Sequence, residues 1–73
     1  MSDDDLDELH TAQAIAEVAL LGAEAVYGAD HPELAIFCAN LGCAEHALGN
    51  TEKALQLYRR AVELAEKNAD TDL

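Results

Sequence analysis

Seventy-three residues with a formal net charge of −11 can build one modest core; a chain of this size removes only about 60% of its unfolded surface from water. Residues 1–52 carry eleven carboxylates and no Lys or Arg, whereas from residue 53 onward four cations balance four carboxylates. That surface repels phosphate backbones and anionic lipid, which argues against nucleic acid or a membrane surface as partner and favours a basic one; it equally fits a generally acidic soluble protein or a salt-rich cytoplasm.

The chain opens on an acidic lead, 1–5, expected to be mobile and favourably placed before the positive end of a helix. The first helix is predicted over about 6–27, with Gly28 at the left-handed position that ends it. From Ala14 to Ala23 only Glu17 is polar, so this helix is apolar almost all round and calls for neighbours on more than one side. Asp30-His31-Pro32-Glu33 reads as the next start, with Asp30 and Glu33 spaced as a capping box and Pro32 in the first turn, where its missing N–H is harmless. The second helix is predicted over about 32–48, stopped by Gly49. Asn50 or Thr51 caps the third, over about 51–68, leaving 69–73 as a frayed tail.

In the third helix Ala54, Leu57, Tyr58, Ala61, Leu64 and Ala65 fall on one stripe at helical spacing. The polar side offers two i,i+4 pairs, Arg59–Glu63 and Glu63–Lys67, worth about 0.2–0.5 kcal/mol each. The fold class is therefore all-α: one domain, 1–73, of three antiparallel helices. Cys38 and Cys43 on one helix would stand about 7.5 Å apart along its axis, beyond easy bridging. Free thiols, an acidic N-terminus and the lack of a long apolar run point to a soluble cytoplasmic protein.

The stretch from Asn40 to Ala61 places small residues (Gly42, Ala44, Ala54, Ala61) where two helices must touch, with Leu41, Leu48, Leu57 and Tyr58 between them. Shifting the chain by 42 residues lays helix 1 on helix 3: Ala12, Ala19 and Ala23 meet Ala54, Ala61 and Ala65, Ile15 meets Leu57, and Leu20 meets Val62. Together with Gly28-Ala29-Asp30-His31-Pro32, these features resemble the tetratricopeptide repeat in its kinesin-light-chain-like 42-residue type. The resemblance implies one complete repeat, helices 2 and 3, preceded by the second helix of an earlier one. It departs from the pattern at Cys38 and Glu45, where large or core aromatics are common, and at Glu66, where many repeats close on proline.

That resemblance implies a non-catalytic module whose partner is a protein or peptide. The first helix of a repeat lines the binding groove, which here gives Ile36, Asn40, Cys43, His46 and Ala47. Asn40 suits a grip on a ligand's main chain, since an amide donates and accepts at once; the alternative is that it simply hydrates an exposed face. An array lacking a helix leaves an apolar face open, and Ile15, Val18, Leu20, Leu21 and Ala25 of helix 1 are the residues assigned to it.

Cys43 and His46 lie i,i+3, but zinc needs two further ligands and Cys38 points elsewhere, so no metal is expected. No phosphate loop, relay or nucleophile-base pairing occurs, and neither an enzyme nor a cofactor is expected. Two functions remain: an adaptor holding a basic peptide or helix, and a structural protein that forms a homodimer or larger homo-oligomer through helix 1.

Overall fold

The computed structural model describes the backbone of residues 3–71 and the side chains of 5–67. It contains α1 (Asp3–Tyr27), α2 (Leu34–Ala47) and α3 (Thr51–Thr71). All three expected helices are present, and no strand occurs among the described residues. α1 starts earlier than expected, at Asp3, so the helix takes in most of the presumed acidic lead; Asp5 then sits near its positive end. α3 likewise runs on to Thr71, through part of the expected frayed tail; Met1, Ser2, Asp72 and Leu73 lie outside the described residues.

Two glycines end helices as their positions require. Gly28 adopts φ 90° and donates to the carbonyl of Glu24 at 2.9 Å. Gly49 adopts φ 88°, Asn50 N–H reaches back to the carbonyl of Glu45 at 2.8 Å, and Gly49 N–H reaches that of His46 at 3.0 Å. This six-to-one and five-to-two pair of bonds is a Schellman termination. Asn50 then opens α3, its carbonyl taking the Ala54 N–H at 3.0 Å.

The start of α2 departs from the capping box. Glu33 occupies the cap in a helical conformation and makes no side-chain capping bond. Its N–H instead donates to Nδ1 of His31 at 3.0 Å. Pro32 and Glu33 lie in a tight turn closed by Leu34 N–H to the His31 carbonyl at 3.0 Å. The helix therefore begins at Leu34, and the imidazole two residues before Glu33 takes over the role assigned to the Asp30 carboxylate. His31 also lies against Tyr27, ring centres 4.7 Å apart.

α2 is the middle rod, packed against α1 on one side and α3 on the other. Gln13 of α1 meets Glu45 late in α2, whereas Leu20 and Ala23 cluster with Leu34, Cys38 and Leu41. Contacts along the two helices thus run in opposite order, and the pair is antiparallel. The same holds for α2 and α3, where Glu45 meets Lys53, Gly42 meets Tyr58, and Cys38 shares a cluster with Leu64. The buried stripe of α2 is Leu34, Cys38, Leu41 and Glu45, an i,i+4,i+7,i+11 series that keeps to one face. Ala16, Ala35, Phe37, Leu57 and Ala61 pack around the core, which is correspondingly small.

Candidate protein-binding surfaces

The five groove residues share one side of α2. Ile36, Asn40, Cys43 and Ala47 follow at spacings of four, three and four, with His46 beside them, and all five are exposed. Cys43 receives the Tyr58 hydroxyl proton at its Sγ, 3.4 Å away, which ties this face to α3 and raises the Tyr58 pKa. Cys38, by contrast, is fully buried, and desolvation raises its pKa, although Arg60 nearby works the other way. Both cysteines are free thiols. Among the described residues no three His, Cys, Asp or Glu side chains are grouped to hold a metal ion, and no helix is long and apolar enough to cross a membrane.

The second set, on α1, divides. Ile15, Val18, Leu21 and Ala25 are exposed, Val18 to 68%, and Val26 extends their face. Leu20 does not belong with them: at 6% exposure it is part of the core, beside Ala23. An all-round apolar helix offers no pattern by which to tell its inner side from its outer one. Only packing on α2 decides that Gln13, Ala16, Leu20 and Ala23 face inward.

A third surface escaped the sequence reading. Ala35, Ile36, Ala39, Tyr58, Ala61, Val62 and Ala65 enclose an open trough of about 520 Å³ between α2 and α3. Leu55 and Arg59 stand with Tyr58 and Val62 along its α3 side. Its floor is alanine and its walls are Ile36, Tyr58 and Val62, so it is shaped for apolar knobs. The available signal was Leu55 and Val62, two large apolar residues seven apart, outside the stripe assigned to the core.

Glu45 holds the three helices in register. Its side chain has no solvent exposure, and its carboxylate is met by polar groups from α1, α3 and the turn between α2 and α3. Oε1 accepts from Gln13 Nε2 of α1 at 2.6 Å and from Asn50 Nδ2 at 2.9 Å. Oε2 has no well-directed hydrogen bond and is held by the ammonium of Lys53, 2.8 Å away. Lys53 is accordingly the main influence holding the Glu45 carboxyl below the usual carboxylate range; burial opposes it, and Asn50 and Gln13 reinforce it. The reach of Gln13 and Lys53 into this spot explains how a carboxylate fills a place where an aromatic ring is common.

The other cations also reach across helices. Arg60 pairs with Glu24 at 3.1 Å and donates to the Ala29 carbonyl at 3.0 Å. Lys67 lies 3.8 Å from Asp30. The i,i+4 pairs expected on α3 do not form among the described residues: Lys67 turns to Asp30, and Arg59 makes no ion pair.

The sequence pattern of the tetratricopeptide repeat family matches residues 5–67, which takes in all of α2 and most of α1 and α3. No curated protein and no solved structure matches the chain.

Proposed function

The chain belongs to the tetratricopeptide repeat family, and from that premise we propose that it is a non-catalytic adaptor gripping a basic peptide or helix on the exposed face of α2. Family membership supports a protein-interaction module in general. The finer reading rests on one observation: Ile36, Asn40, Cys43, His46 and Ala47 form a continuous exposed stripe on a surface whose first 52 residues have no cation. On this reading Asn40 takes the ligand main chain, His46 flanks it, and Ile36 receives an apolar side chain. Acidic surroundings draw in Lys and Arg at long range, so association is fast and salt-sensitive.

The experiment is selection of a random peptide library on the purified domain. Enriched peptides should be rich in Lys and Arg, and raising salt should weaken their capture. Asn40→Ala with His46→Ala should lower affinity for them about tenfold while helicity stays intact. Enrichment of neutral or acidic peptides, or full retention by the double variant, overturns the reading.

A second reading, homo-oligomerisation through α1, is favoured by the exposure of Ile15, Val18, Leu21 and Val26 on one helix. A contiguous apolar face of that kind marks a contact surface.

A further inference from the structure

We infer that the α2–α3 trough of one copy receives the outer stripe of α1 from another, so that the protein associates head to tail. This rests on the second reading above and adds to it the surface that α1 meets.

The 42-residue correspondence shows what the trough is built for. Leu55, Tyr58, Val62 and Ala65 of α3 correspond to Gln13, Ala16, Leu20 and Ala23 of α1. On α1 those positions hold α2, with Leu20 and Ala23 buried and Ala16 packed on the core. On α3 the corresponding face stands open, with Val62 exposed to 56%. A face that binds a helix at one end of the unit thus waits for a helix at the other. Its occupant is a helix rather than an extended strand, because the open face repeats a helix-packing surface.

The outer face of α1 has the matching form. Ile15, Val18, Gly22 and Ala25 follow at spacings of three, four and three, a seam one helix presents to another. Ile15 to Ala25 and Leu55 to Ala65 both span ten residues, so seam and trough are each about 15 Å long. Gly22 is the centre of the seam, and a Cβ built there meets nothing within 4 Å. Within its own chain this glycine serves no close contact, whereas opposite Tyr58 or Ile36 it would let the backbones approach. The exposed stripe of α2 in a second copy is no rival, since Asn40 and His46 interrupt it where the trough calls for apolar knobs, and Ile36 is itself a wall of the trough.

Charge selects head to tail over an α1–α1 pairing. α1 has no cation and presents Asp7, Glu8 and Glu17 to solvent, so two such helices would meet carboxylate to carboxylate. Of the four basic residues, all from 53 onward, Lys53, Arg60 and Lys67 lie against carboxylates of their own chain. Arg59, beside the trough together with Glu63, makes no ion pair among the described residues and is the cation left to meet an α1 carboxylate. A head-to-tail pair then keeps one free seam at one end and one free trough at the other, so the contact does not close at two and growth continues.

Sedimentation of Val18→Glu, which spoils the seam, and Val62→Glu, which spoils the trough, tests this; both positions are exposed, and circular dichroism checks the helices. The wild-type average mass should climb past that of a dimer as concentration rises toward about 1 mM. Each variant alone should stay at monomer mass, while their equimolar mixture should form a heterodimer through the surviving seam and trough. A wild type that remains monomeric overturns self-association altogether. Loss of assembly in Val18→Glu with a dimer surviving in Val62→Glu overturns the trough and leaves an α1–α1 contact. A mixture that stays monomeric overturns the proposal too. Should either Glu variant lose helicity, the Ser variants at the same positions make the same comparison.

Discussion

Glu45 sits at 0% exposure with three polar side chains around its carboxylate: Gln13, Asn50 and Lys53. Its carboxyl is held below the usual range. A depressed folded-state pKa stabilises the fold above the unfolded value of about 4.3 and loses that contribution as pH falls through the folded value. The stability gap between wild type and Glu45→Gln should therefore close as pH is lowered from about 6 to 3, whatever the relief of charge repulsion does to both proteins. At pH 7 Glu45→Gln should be less stable by about 1.5–3 kcal/mol, the scale of losing a charge-assisted hydrogen bond. Urea denaturation of both proteins at each pH measures it, and parallel pH curves would contradict the assignment.

At the scale of the helix, two glycines of the same composition have opposite meanings. A Cβ on Gly42 would stand 2.8 Å from Cε1 of Tyr58, so α2 and α3 approach there only because the side chain is missing. Gly22, exposed on α1, has open space around it. Gly22→Ala should raise stability by about 0.8–1 kcal/mol, the difference in helix propensity. Gly42→Ala gains the same propensity but must push the Tyr58 ring aside, and overpacking of that kind costs about 1–3 kcal/mol; the net change should be a loss. Thermal melts at low protein concentration, where copies stay apart, decide both signs. A stabilising Gly42→Ala would show that the Tyr58 ring moves freely and that the close approach is not required.

For the whole molecule, charge and core size act against each other. The core is Leu20, Ala23, Leu34, Cys38, Leu41 and Leu64, with smaller neighbours around it. Against it stands a net charge of −11, whose self-repulsion favours expansion. Among the described residues, Lys53–Glu45 and Arg60–Glu24 between helices and Lys67–Asp30 from α3 to the α1–α2 loop offset part of this. Exposed pairs such as Lys67–Asp30 are worth only about 0.2–1 kcal/mol each, and Lys53–Glu45, with its buried carboxylate, is the least screened by salt, so repulsion dominates the salt response. The Tm should rise as NaCl is added from low ionic strength, and a Tm that falls would mean that the ion pairs outweigh the repulsion.

The number of helices, their order and their two glycine stops were determined by the sequence alone, because glycine in the left-handed region and small residues at repeat spacing are local or nearly local constraints. Gly28 and Gly49 carry that information without reference to the rest of the fold. The helix starts were not so determined, since α1 begins at Asp3 and α2 only at Leu34, after Pro32. The exposed side of α2 was read from the family resemblance, which assigns Ile36, Asn40, Cys43, His46 and Ala47 to the outer face, and all five are exposed. Tertiary structure decided the rest. Which side of α1 faces inward, and so that Leu20 is core while Val18 is surface, depends on where α2 lies, because an evenly apolar helix has no internal signal of direction. That Glu45 is a buried clasp and that α2 and α3 leave a trough between them are likewise properties of residues far apart in sequence, brought together only when the rods pack.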